Sequence, residues 1–147
     1  NIGKSKNIIL VTTNKPYSYL ANAFKRYGIQ TSKIFFIDCI SRHVGEKNEQ
    51  EPENCIFVES PQSLPTIGIA ISESVRRLSG EKALLFDSLS TLLLYNDANT
   101  IGRFSNFLVN KMRLADVDII ILALESDINK DVIKQIESIV DEVKKGD

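Results

Sequence analysis

Four runs of mostly apolar residues constrain this chain more than anything else in it: NIILVTT at 7–13, KIFFIDCI at 33–40, KALLFD at 82–87 and DIIILAL at 118–124. A strand with one wet face alternates apolar and polar side chains, so a continuous apolar run reads as a strand covered on both faces. Between the runs the period changes to that of a helix. In KPYSYLANAFKRYG (15–28), Leu20, Phe24 and Tyr27 fall on one face. Pro16 suits the first helical position, and Gly28 suits a left-handed C-terminal cap. Ile67, Ala70, Ile71, Val75 and Leu78 keep helical spacing as far as Gly80; Ile101, Phe104, Leu108 and Met112 mark a helix ending near Leu114; Val132, Ile136, Ile139 and Val143 mark a closing helix. CIFVES (55–60) reads as a short strand leading into a prolyl turn, and TLLLY (91–95) as an apolar turn.

Strands buried on both faces and alternating with helices predict an α/β fold of three layers, a mainly parallel sheet with helices on both sides and right-handed crossovers. A chain of 147 residues suits one such domain, 1–147. Ligands of open parallel sheets sit off the carboxyl ends of the strands. Thr13, Asp38, Asp87 and Glu125 occupy those ends.

Composition narrows the partners. With 43% hydrophobic and 25% charged residues the chain is an ordinary globular one, not a disordered or disulfide-built one. Eighteen basic against 19 acidic residues give a net charge of −1, which indicates neither nucleic acid nor an anionic membrane surface. The longest apolar run is far short of the ~20 residues of a membrane-spanning helix, and no signal peptide is visible. Cys39 and Cys55 adjoin apolar runs without zinc-ligand spacing, which predicts buried thiols in a reducing cytoplasm.

Three phosphate-binding designs occur on such sheets. A dinucleotide site needs G-x-G-x-x-G in the first strand-to-helix turn, and TTNKPY contains no glycine. A phosphate-accepting receiver domain places acids where Thr12 and Thr13 stand. A P-loop opens a helix, whereas only Lys6 and Asn7 separate Gly3-Lys4-Ser5 from the first strand, so that triplet is a decoy.

The remaining cue is KALLFDSLSTLLLY (82–95), in which an apolar strand ends on Asp87 and continues into Ser88, Ser90 and Thr91. It resembles the Walker B strand of RecA-like ATPases, most closely the branch that includes the KaiC-like and Rad55-like proteins. NIILVTTNKPYSYLANAFKRYGIQTSKIFFIDCIS resembles the strand–helix–strand that follows the P-loop helix there, and FVESPQSLPTIGIAISESV and NTIGRFSNFLVNKMR resemble later segments, so about residues 7–144 are covered. The resemblance implies RecA-like topology with a strand–helix unit upstream of residue 1, consistent with a start at Asn1 rather than Met. It implies that Asp87 holds magnesium through water beside Ser88 and Thr91; Thr13 and Asp38 join them as cofactor-binding candidates because their strand ends open on the same crevice. Two departures stand against activity. KaiC-like ATPases carry a glutamate pair where this chain has Thr13, Asn14 and Lys15, and no phosphate loop lies in the sequence.

The expectation is therefore a non-catalytic RecA-like domain without a cofactor, acting in regulation or assembly through a protein partner or homo-oligomer. The alternative is a Mg-ATP-binding signalling ATPase whose P-loop lies outside the chain. A third reading is a small-molecule sensor using the crevice near Thr13, Asp38 and Asp87. Asp87 also has a purely structural reading, as a turn cap sharing hydrogen bonds with Ser88, Ser90 or Thr91. Asp38 and His43 flank Cys39, but nucleophilic catalysis also needs an orienting group and an oxyanion site. The polar stretch SRHVGEKNEQEPEN (41–54) is long for a structureless loop, hence mobile or functional, with its acidic part a solvated surface. Tyr17, Tyr19 and Tyr27 divide between core and surface.

Overall fold

A computed structural model describes residues 6–46, 51–124 and 130–146 of the chain. Five strands, β1 (Asn7–Thr12), β2 (Ile34–Asp38), β3 (Cys55–Phe57), β4 (Lys82–Asp87) and β5 (Asp118–Leu122), form one sheet in the order β3-β2-β1-β4-β5. Every pairing is parallel. The helices are α1 (Tyr17–Arg26), α2 (Leu64–Arg77), α3 (Leu89–Leu92), α4 (Ala98–Leu114) and α5 (Lys130–Glu137). They lie on both sides of the sheet, giving the three-layer α/β fold that the sequence predicts.

Because side chains alternate along a strand, register sorts the residues by face. Ile9, Val11, Phe35, Ile37, Leu84 and Phe86 pack against α2, α4 and α5. Leu10, Phe36, Cys55 and Phe57 pack against Leu20, Tyr17 and Phe24 of α1. On the larger face Phe86 meets Phe104 edge-on at 6.1 Å. Each such fully buried side chain stabilises the fold by about 1.5–3 kcal/mol.

The local signals act only in part as the sequence predicts. Gly28 closes α1 at φ 70°, a conformation that costs glycine little. Pro16 sits one position before the first helical residue and offers no capping side chain, a lack made good from β2 as described below. The stretch 91–95, expected as a turn, begins inside the short helix α3, which Ser88 caps. The closing helix ends at Glu137, short of Val143. There Arg113 reaches across from α4, donating to the Ile139 carbonyl at 2.7 Å and to Asp141 at 2.8 Å.

One strand departs from expectation. DIIILAL predicts burial on both faces, yet β5 lies at the sheet edge with Ile120 46% and Leu122 44% exposed. Ile120 pairs in register with Leu85 and Leu122 with Asp87, on the α1 face. The cluster under helix α1 draws on β1, β2 and β3 and reaches only Leu85 of β4, so among the described residues the β5 end of this face is left open at Ile120 and Leu122.

Candidate functional site

Thr13, Asp38, Asp87, Ser88 and Thr91 all come to the carboxyl edge of the sheet, as parallel topology requires, but they divide by what surrounds them. Glu125 and Gly3 to Ser5 lie outside the described residues, as does part of the 41–54 stretch. In the part that is described, Arg42 donates to Glu51 at 2.9 Å and Glu59 at 3.2 Å, tying the two ends of that stretch to each other and to the segment that follows β3.

Asp38 is completely buried. Its Oδ1 accepts from the Ile40 and Ser41 amides, both at 2.8 Å, and its Oδ2 accepts from the Tyr17 amide at 2.8 Å and the Ser41 hydroxyl at 2.5 Å. The carboxylate thus caps α1, where Pro16 cannot, and holds the turn leaving β2. Four protein donors fill its accepting positions, which makes Asp38 part of the scaffold of the crevice rather than an open group in it.

Thr13 is also fully buried and joins β1 to the turn after β4. Its hydroxyl lies 3.2 Å from the Asp87 carbonyl and 3.1 Å from the Ser88 carbonyl and accepts from the Ser88 amide at 3.1 Å. The Asp87–Ser88 peptide bond is cis. Ser88 then caps α3, its Oγ accepting from the Thr91 amide at 3.3 Å and lying 3.0 Å from the Thr91 hydroxyl. Ser90 ties α3 to the end of β5, accepting from the Leu124 amide at 2.6 Å.

Asp87 is the contrast. Ser88 caps the turn, so the capping reading does not fall to the acid. The Asp87 side chain is half-buried beside the open β5 end of the α1 face and takes no hydrogen bond or ion pair among the described residues. An acceptor-only carboxylate standing open there suits a water-mediated cation or a donor from another molecule. The opposing turn is less suited to a phosphate: the Thr12 hydroxyl donates to the Lys15 carbonyl at 2.7 Å and accepts from the Lys15 amide at 3.2 Å, closing the turn on itself. Among the described residues no cluster of three His, Cys, Asp or Glu is placed to hold a metal ion. Replacing Asp87 with alanine is therefore expected to change stability by less than about 0.5 kcal/mol. Ser88→Ala is expected to cost about 1 kcal/mol by removing a cap. Urea unfolding compares the two, and equal losses would restore the capping role to Asp87.

Cysteine chemistry is absent from the edge. Cys39 is inaccessible, burial followed by the Asp38 charge pushes its thiol well above the ordinary range, and Cys55 is raised for the same two reasons. Both stay protonated and poorly nucleophilic at neutral pH. His43 is exposed and packs edge-on to Tyr95 at 5.0 Å. Tyr17 meets Phe36 at 4.9 Å and bonds Asn54 at 3.2 Å, whereas Tyr19 and Tyr27 are exposed.

No described helix is long and apolar enough to cross a membrane. The sequence matches a family of unknown function over residues 3–143. No curated protein matches it.

Proposed function

Because the chain belongs to that family, DUF7504, whose function is unknown, we propose from the geometry a non-catalytic RecA/KaiC-like domain that works by binding protein in a regulatory or assembly role. The observation that carries the reading is the open apolar surface of β5, where Ile120 and Leu122 are 46% and 44% exposed in a strand whose sequence asks for cover on both faces. An apolar edge strand left open is a template for pairing with another polypeptide. The closed Thr12 turn and the lack of a base at Thr13, Asn14 and Lys15 support a role without phosphoryl transfer, which depends on many groups positioned together.

A second reading is favoured by the open Asp87 carboxylate and by handedness. The β1-to-β2 crossover lays α1 on one face, and the β4-to-β5 crossover, running the other way across the sheet, lays α4 on the opposite face. A strand outside β5 that leads forward into β1 runs in the first direction, so its helix falls over β4 and β5, beside Asp87. Such an upstream unit is where a P-loop would complete a Mg-ATP site.

Two measurements separate the readings. On the first, calorimetric titration of the domain with Mg-ATP gives no heat beyond dilution, and micromolar binding overturns it. Sedimentation is expected to show self-association that Ile120→Glu with Leu122→Glu abolishes; a wild-type chain that stays monomeric at high concentration counts against the surface. On the second, a longer chain carrying G-x-x-x-x-G-K-[ST] upstream binds Mg-ATP and loses that binding in Asp87→Ala.

A further inference from the structure

On the opposite face of the sheet, α2 and α4 carry a second apolar feature that the core does not use. The buried stripe of α2 runs through Leu64, Ile67, Ala70 and Ile71, and Ile69 lies off it, 68% exposed. The stripe of α4 runs through Ile101, Leu108 and Met112, and Phe107 lies off it, 54% exposed. The fold brings these two outliers to the same groove between the helices, an open cleft of about 610 Å³ floored by Leu64, Pro65, Gly68, Ile69, Phe104 and Phe107. Gly68 keeps the groove deep: a side chain there would begin 3.9 Å from the Phe107 ring, in the space the ring borders.

The rim has one sign of charge. Arg76, Arg103 and Lys111 line it, and among the described residues no acid does. Glu73, just outside, is shared between Arg76 and Arg77, which leaves that end positive. The Asp97 carboxylate is occupied capping α4 at the Thr100 amide. Lys111 lies 5.6 Å above the Phe107 ring, so the charge sits directly over the apolar floor.

We propose that this groove docks an amphipathic helix of a partner protein, one whose apolar i, i+3/i+4, i+7 stripe is flanked by glutamate or aspartate. Main-chain pairing is unavailable here, since α2 and α4 use their own amides and carbonyls internally, so recognition runs through side chains. A helix laid in a groove is the form that suits this. Beside Phe104 and Phe107 the floor is aliphatic, through Leu64, Pro65 and Ile69, and the overall charge of −1 supplies no broad field for nucleic acid.

The test is fluorescence anisotropy with a labelled synthetic helix of about 16 residues, long enough for partial helicity, with a leucine stripe flanked by glutamates. The comparison peptide keeps the leucines and replaces each glutamate with lysine. The glutamate peptide is expected to bind at least about tenfold more tightly. Phe107→Ser is expected to weaken it about tenfold, Arg103→Glu with Lys111→Glu to reverse the preference, and Tyr19→Ser, at an exposed position of α1 on the other face, to leave it unchanged. All the groove positions altered are exposed, so circular dichroism should match the parent chain. Equal binding of the two peptides overturns the proposal, as does an unreversed preference in the double variant. Tighter binding of a single-stranded oligonucleotide or of phosphatidylglycerol vesicles than of the glutamate peptide also overturns it.

Discussion

Asp38→Ala is expected to lower stability by about 3–5 kcal/mol, the range for removing one partner of a buried, fully engaged charge. The substitution leaves the Tyr17, Ile40 and Ser41 amides and the Ser41 hydroxyl without their common acceptor. Two of those amides belong to a turn in which Ile40 and Ser41 are themselves buried, so water reaches them poorly. The third is the first amide of α1, which Pro16 cannot cap. Asp38→Asn, which keeps one acceptor and turns the other into a donor, is expected to cost about half as much. Guanidinium unfolding at neutral pH measures both. A loss below about 1 kcal/mol for the alanine variant would mean that the carboxylate is not held by the fold and would return Asp38 to the list of ligand-binding residues.

Thr13→Val carries the second large effect, about 2–3 kcal/mol, because an isosteric methyl replaces a hydroxyl that touches three backbone groups of the turn after β4. The Ser88 amide loses its acceptor, while the Asp87 carbonyl keeps the Thr13 amide at 2.9 Å. The damage is therefore expected at the turn rather than in the ladder. Hydrogen exchange should show faster opening at Ser88 and Leu89 with little change in β1 and β4. Thr13→Ser, which keeps the hydroxyl, is expected to stay within about 1 kcal/mol of the parent. Uniform acceleration across β1 and β4 would contradict a local brace.

The two strand-end acids show what a sequence hides. Both Asp38 and Asp87 close an apolar run, and a serine follows each within three residues. Only one is saturated, because Tyr17 arrives from across the crossover and the turn at 40–41 folds back onto it. Ser88 takes the cap beside Asp87, leaving that carboxylate open. The groove is similar: Ile69 and Phe107 are single irregularities in otherwise regular stripes, and neither means anything until α2 and α4 lie side by side.

What the sequence determined alone is the layer architecture and its local punctuation. Apolar runs of strand length, amphipathic helices between them and glycine at position 28 set the parallel sheet, the crossovers and the capped end of α1, because each follows from short-range period and backbone freedom. The tertiary structure decided which strand end is braced, which acid is open and which apolar surfaces are left uncovered. Those depend on what approaches from distant parts of the chain, and an apolar run such as β5 states that it needs cover without stating where the cover comes from.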